Sequence, residues 1–290
     1  MWVMWGLACA LGMGTVDVIS KRALREFDPW IVGTARLGCA LPALAIPILI
    51  AGWPPLAPLF WKTVALMVPL EIVAFLLLLE ALRAAPLAET VPFLSLTPLF
   101  TVVASWLILR ERVTLLGLAG ICAIVAGGYT LYGHELRHGA LGPLRAMGRS
   151  QGTRLMIVVA LLYSVNLSLG KQAVQLSSPT MFPGVYFAVL TTVLILIHLA
   201  RGCRPAAFVH ALRQRPGLLM SLGVMDGVTF LIHSIGILLA PVAYFVGVKR
   251  LSAVVSVLIG GILFRDAHLR LRLAGAGCMV AGVALLTMGA

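Results

Sequence analysis

Charge is scarce in this chain: Asp, Glu, Lys and Arg make up 11% of its 290 residues, where a soluble domain carries about 25%. Hydrophobic residues fill 61% of it and the mean hydropathy is +1.04, which excludes a water-soluble globular domain and leaves an integral membrane protein. Acids are rarer still, 10 against 22 Lys and Arg, for a net charge of +12. The basic residues stand singly in connecting stretches, without the stripe or motif of a nucleic-acid binder, so no nucleic-acid partner is implied. Cysteine is sparse too. Cys9, Cys39, Cys122, Cys203 and Cys278 show no paired spacing, so neither a disulfide framework nor a zinc cluster is expected. The chain also lacks a G-x-S-x-G elbow and a Walker loop, which argues against acyl transfer and ATP-driven pumping. No cofactor is implied.

What is abundant is apolar sequence in runs of about twenty residues, each able to cross a ~30 Å hydrocarbon core as a helix. Ten such runs lie near 2–20, 30–51, 61–83, 87–109, 113–133, 155–174, 180–200, 216–238, 241–264 and 271–289. The first has neither the basic leader nor the small-residue cleavage site of a secretory signal and is expected to remain as helix one.

The chain repeats itself. LAGICAIVAGG at 118–128 returns 155 positions later as LAGAGCMVAGV at 273–283, and the same offset carries Ala85-Pro86 onto Ala240-Pro241, Arg110-Glu111 onto Arg265-Asp266, and Glu71 onto Asp226. Over the first two spans of each half the offset is 150, pairing Lys21 with Lys171 and Pro29 with Pro179. The expected organisation is a first repeat at 1–133, a linker at 134–154 and a second repeat at 155–290. Five spans per repeat is an odd number, so the second copy starts from the opposite face and the repeats are inverted, an architecture of many secondary transporters. The fold class expected is thus an all-α integral membrane protein of ten transmembrane helices in two inverted five-helix repeats.

Loop charge gives an orientation. The odd-numbered loops hold fifteen Lys and Arg and the even-numbered ones four, Lys62, Arg110, Arg112 and Lys171. Basic loops stay cytoplasmic, which places both termini on the non-cytoplasmic side. The expected location is a cell membrane of the bacterial inner-membrane kind.

The stretch ALRAAPLAETVPFLSLTPLFTVVASWLILRERVTLLGLAGICAIVAGG at 81–128, with Arg110-Glu111-Arg112 closing span four, and its counterpart at 240–283 resemble the drug/metabolite transporter superfamily in its ten-helix, two-repeat EamA form. The counterpart departs from the pattern in one place, Asp266 standing where Glu is usual. The resemblance covers nearly the whole chain and implies export of small metabolites or drugs without specifying which. It also implies cytoplasmic termini, against the charge count.

The candidate site residues are the ionisable and polar groups inside the spans. Glu71 and Asp226 fall near the middle of spans three and eight, where a lone acid costs about 2.5–3.5 kcal/mol on insertion scales. Such acids handle protons or cations, or else hydrogen-bond helices together. His233 stands seven residues after Asp226 on the same helix face, as part of a proton relay or as a packing residue. Arg36, Lys249 and Arg250 lie deeper than the loops, either snorkelling to the interface or holding a carboxylate or phosphate of a substrate. Acid and base together suit a zwitterion such as an amino acid, and dominant basic residues suit a phosphorylated metabolite or lipid headgroup. Tyr163 and Asn166, three apart in span six, offer hydrogen bonds to a ligand or to a neighbouring helix. Pro98 is expected to interrupt span four and kink it. The glycines of spans five and ten suit close helix packing, within one chain or between two copies as a homodimer. Asp17 and Lys21 have the spacing of an intrahelical ion pair.

The expected partners are a small-molecule substrate, the lipid bilayer and a coupling ion such as a proton. Two other readings stay open: a membrane-embedded zinc protease using His134-Glu135-Leu136-Arg137-His138, which matches H-E-x-x-H but falls in the linker without a third ligand, and an accessory subunit that transports nothing.

Overall fold

The computed structural model describes residues 1–84, 91–131, 150–202, 205–255 and 269–289. His134, Glu135 and His138, Cys203 and Asp266 lie outside the described residues. Among those described the chain is helical throughout: α1 (Trp2–Ala23), α2 (Pro29–Gly38), α3 (Leu41–Ala51), α4 (Pro58–Ala84), a 3-10 segment (Val91–Leu96), α5 (Thr97–Leu109), α6 (Leu115–Leu131), α7 (Gln151–Gln175), α8 (Met181–Ala200), α9 (Pro205–Gln214), α10 (Pro216–Gly236), α11 (Val242–Lys249) and α12 (Leu269–Met288). Six stretches are long and apolar enough to cross a membrane, with shorter apolar helices at Phe93–Leu109, Leu115–Thr130 and Leu273–Met288. Large apolar side chains such as Leu49, Ile50, Leu115 and Val280 face outward, as a bilayer requires. The chain is a multi-span all-helical membrane protein.

Three expected spans are not continuous helices. Span two breaks at Cys39-Ala40 into α2 and α3, because Pro42 has no amide to offer the carbonyl of Gly38 and restarts the helix at its first turn. Span four is a 3-10 segment up to Leu96 and an α-helix from Thr97. Pro98 therefore does not interrupt a running helix as the sequence suggested; it sits in the first turn of α5, where the missing amide has no acceptor to lose. Span nine stops being helical at Arg250-Leu251 and resumes at Ser252. Lys171, counted above as a loop cation, lies inside α7, which runs on to Gln175 past the end of the apolar run.

Close approach of helices is bought with glycine. A Cβ on Gly120 would stand 2.7 Å from the Gly282 carbonyl, and one on Gly127 would stand 2.6 Å from the Gly275 carbonyl. These contacts pair the start of α6 with the end of α12, so the two helices run antiparallel with backbones touching. The break between α2 and α3 is received the same way, Gly223 of α10 lying against Cys39 and Gly227 against Ala40. Elsewhere α1 packs along α10 and α4 along α7.

A buried ion pair fastens one end of the bundle. Arg110 ends α5 in the left-handed conformation at φ 57°, which reverses the chain and turns Glu111 inward. Its carboxylate accepts from Lys171 Nζ at 2.6 Å and from the Val242 amide at 2.8 Å, while Lys171 also donates to the Ala240 carbonyl at 2.7 Å. The acid thus satisfies an orphan amide at the start of α11 and opposes the helix dipole.

Two comparisons test this packing. Gly282→Ala forces α6 and α12 apart and should cost about 1–3 kcal/mol, whereas Gly277→Ala, on the same helix with nothing within 4 Å of the added Cβ, should be neutral or stabilising by about 0.5–1 kcal/mol; thermal unfolding in detergent reads both. Lys171→Met alone strands the Glu111 carboxylate and should cost about 3 kcal/mol or more, and Lys171→Met with Glu111→Gln should recover part of that loss.

Candidate functional site

The ionisable residues singled out in the spans gather from five helices, α2, α4, α7, α10 and α11, into one polar centre. Pro69 lies inside α4, and two residues later Glu71 points toward α7 and α8. Asn166 Nδ2 of α7 donates to Glu71 Oε2 and, at 3.0 Å, is in contact with the Tyr186 hydroxyl of α8, which itself reaches Glu71 Oε2 at 3.5 Å. Tyr186 carried no local signal in the sequence; only the fold brings it within reach. Tyr163, one helical turn before Asn166, lies within electrostatic reach of Glu71, Arg36 and Arg250.

Asp226 is held differently. The Arg36 guanidinium grips it at two points, Nε to Oδ2 at 2.8 Å and Nη2 to Oδ1 at 3.0 Å, in the fork-to-carboxylate geometry that makes such pairs strong. The close approach of α10 to the α2–α3 break sets this contact, because Arg36 lies one turn before the break and Asp226 between the two glycines that receive it. Glu71 and Asp226, 155 positions apart in the sequence, thus have unlike partners, a neutral amide and phenol for one and a guanidinium for the other.

The interrupted spans four and nine meet here. Arg250, at the break after α11, donates through Nη2 to Thr97 Oγ1 at the start of α5, at 2.6 Å. The break in span nine lies at Arg250-Leu251 and that in span four at Leu96-Thr97, so the two fall within one residue of the 155 offset. Thr97 is fully buried and was not a sequence candidate; its only local signal was the neighbouring proline. Lys249, the last residue of α11, is partly exposed, and among the described residues no acid or acceptor is hydrogen-bonded to it. Its charge is felt at Glu71, His233 and Cys9.

His233 is buried, and its Nδ1 has no hydrogen-bond partner among the described residues. It packs in tilted contact against Phe230 at 5.6 Å and Phe245 at 5.3 Å between ring centroids, and no hydrogen bond joins it to Asp226. Phe182, Tyr186 and Phe230 continue the aromatic wall. The Asn166 carbonyl oxygen is likewise buried and unpartnered. The centre therefore offers a cation, a carboxylate and two unused polar atoms against an aromatic surface. No group of three or more metal-ligating side chains occurs among the described residues.

Comparison with known proteins bears on this arrangement. Residues 1–133 match the EamA-like transporter family. No curated protein matches the sequence. A solved structure described only as "Crystal structure of protein" superposes with a TM-score of 0.78 at 18% identity, covering 100% of this chain and 99% of that one; at that identity it speaks for the fold alone. Residues 1–133 are thus similar to the EamA-like transporter family, and the chain is a multi-span, all-helical membrane protein whose fold is consistent with the drug/metabolite transporter superfamily.

Proposed function

We propose that this protein is a secondary-active transporter that carries a small metabolite by alternating access, with the polar centre as its binding and coupling site. The observation that carries this reading is the meeting of two interrupted spans at Arg250 and Thr97, with Lys249, which has no hydrogen bond to its side chain among the described residues, next to Arg250 in the chain. Discontinuous helices supply substrate and ion sites near the midplane because their broken ends present charge and backbone polarity that a continuous helix consumes internally.

In this reading residues 1–133 and 155–290 are inverted repeats. The antiparallel contact of α6 with α12 supports the inversion, since Gly120 and Gly127, whose counterparts at the 155 offset are Gly275 and Gly282, each touch the other's counterpart. The packing of α1 along α10 supports it too, being the repeat's image of α4 along α7. Lys249 and Arg250 receive the anionic group of the substrate. Glu71 takes and releases the coupling proton or binds a coupling cation, and Asp226 enters the cycle by exchanging its hold on Arg36. Tyr163 and Asn166 orient the ligand and His233 closes the aromatic side. The substrate class that fits is a small metabolite bearing an anionic group, amino-acid-like or amphiphilic, and export is the direction the family suggests.

Uptake of a radiolabelled metabolite and amphiphile panel into proteoliposomes, with and without a pH gradient, tests the assignment. Wild type should show gradient-driven flux, and Glu71→Gln should lose the gradient dependence. Lys249→Gln should raise the half-saturation concentration for an anionic substrate about 10-fold or more, as removal of a charged hydrogen bond predicts. Unchanged gradient dependence in Glu71→Gln, with unchanged half-saturation in Lys249→Gln, would contradict it.

A further inference from the structure

A cleft of about 580 Å³ lies away from the polar centre. It lies where the last turn of α1 meets the joint between α9 and α10, and its walls include Val18, Ile19 and Leu218 on one level and Arg22, Glu26 and Arg215 on another. α1 ends at Ala23 and α10 begins at Pro216, so the cleft straddles the depth at which hydrocarbon gives way to headgroups. Its apolar side chains lie on the hydrocarbon side of that boundary and its charged ones on the other.

The helix leading into the cleft fits the same depth. At ten residues α9 is too short to span a bilayer. Ala211 is buried and Phe208 and Leu212 pack on the protein core beside it, while His210, Arg213 and Gln214 are exposed. A helix of this kind rests in the plane of the interface.

Charge selects the occupant. Arg215 is bonded to Glu26 at 2.9 Å, whereas the Arg22 guanidinium is exposed and, among the described residues, has no ion pair or hydrogen bond. Arg213 adds a further positive charge nearby, and Gly217, in the first turn of α10, leaves open space beside helix amides that lack acceptors. A soluble anion would use the rim and leave the apolar wall wet. A molecule carrying both an anionic headgroup and acyl chains matches both levels.

We propose that this cleft binds an anionic phospholipid, with its phosphate at Arg22 and an acyl chain along Val18, Ile19 and Leu218. The site is separate from the polar centre and does not depend on what that centre carries. Glu26 competes with the lipid by occupying Arg215, which sets opposite signs for two substitutions.

Native mass spectrometry of the purified full chain, equilibrated with equal amounts of phosphatidylglycerol and phosphatidylcholine, provides the test. Wild type should retain phosphatidylglycerol with at least about five-fold preference, Arg22→Gln should lower that preference at least about three-fold, and Glu26→Gln should raise it. Lys62→Gln, an exposed cation near the start of α4 and away from the cleft, should leave it unchanged, which separates a site from bulk attraction. Equal retention of the two lipids by wild type, an unaltered preference in Arg22→Gln, a lowered one in Glu26→Gln, or displacement of the lipid by millimolar glycerol phosphate would each overturn the proposal.

Discussion

A charge in hydrocarbon needs a partner or an aqueous surface, and the centre of this protein is organised around that requirement. Arg36 and Asp226, 190 positions apart in the chain, meet in a two-point contact. Removing Arg36 would leave Asp226 buried and uncompensated, at a cost of about 3–5 kcal/mol. Glu71 is satisfied by Asn166 and Tyr186, and Arg250 by Thr97. Every one of these contacts joins helices distant in sequence, so the polar groups that make the centre useful also fix which helices adjoin it.

Such contacts form only where backbones come close, and that is the work of small residues and helix breaks together. Gly223 and Gly227 admit the α2–α3 break and so deliver Arg36 to Asp226. Gly120, Gly127, Gly275 and Gly282 join α6 to α12 away from the centre, at a seam whose glycines are used within the chain. Lys171 and Glu111 hold the end of the bundle where α5, α7 and α11 converge. The stiff seam and the clasp frame a centre whose own helices are interrupted, a division between rigid and adaptable parts that suits a carrier.

Much of this was legible in the sequence because hydropathy and repetition are long-range signals. Apolar runs marked the spans, the 155-residue offset related Glu71 to Asp226, and the motif at 81–128 pointed to the family that residues 1–133 match. What hydropathy cannot register is a change in the pattern of backbone hydrogen bonding, since Leu96-Thr97 and Arg250-Leu251 are no less apolar in their surroundings than a uniform α-helix. Pro42 and Pro98 were the only local marks, and Pro98 pointed to a kink where the chain starts a new helix. Tyr186 and Thr97 entered the centre through tertiary contact alone, and Lys171 looked like a loop cation because its partner Glu111 stands 60 residues away.

The central claim is that the meeting point of the two interrupted spans is a watered site that opens to one side of the membrane and then the other. Thr97→Cys, in a background freed of the native cysteines, places a reporter at that point. Its reaction with a membrane-impermeant thiol reagent, measured in right-side-out and inside-out vesicles, should proceed from both sides and slow when a transported substrate is present. A thiol that stays unreactive from both sides, in protein that remains folded and inserted, would contradict the account.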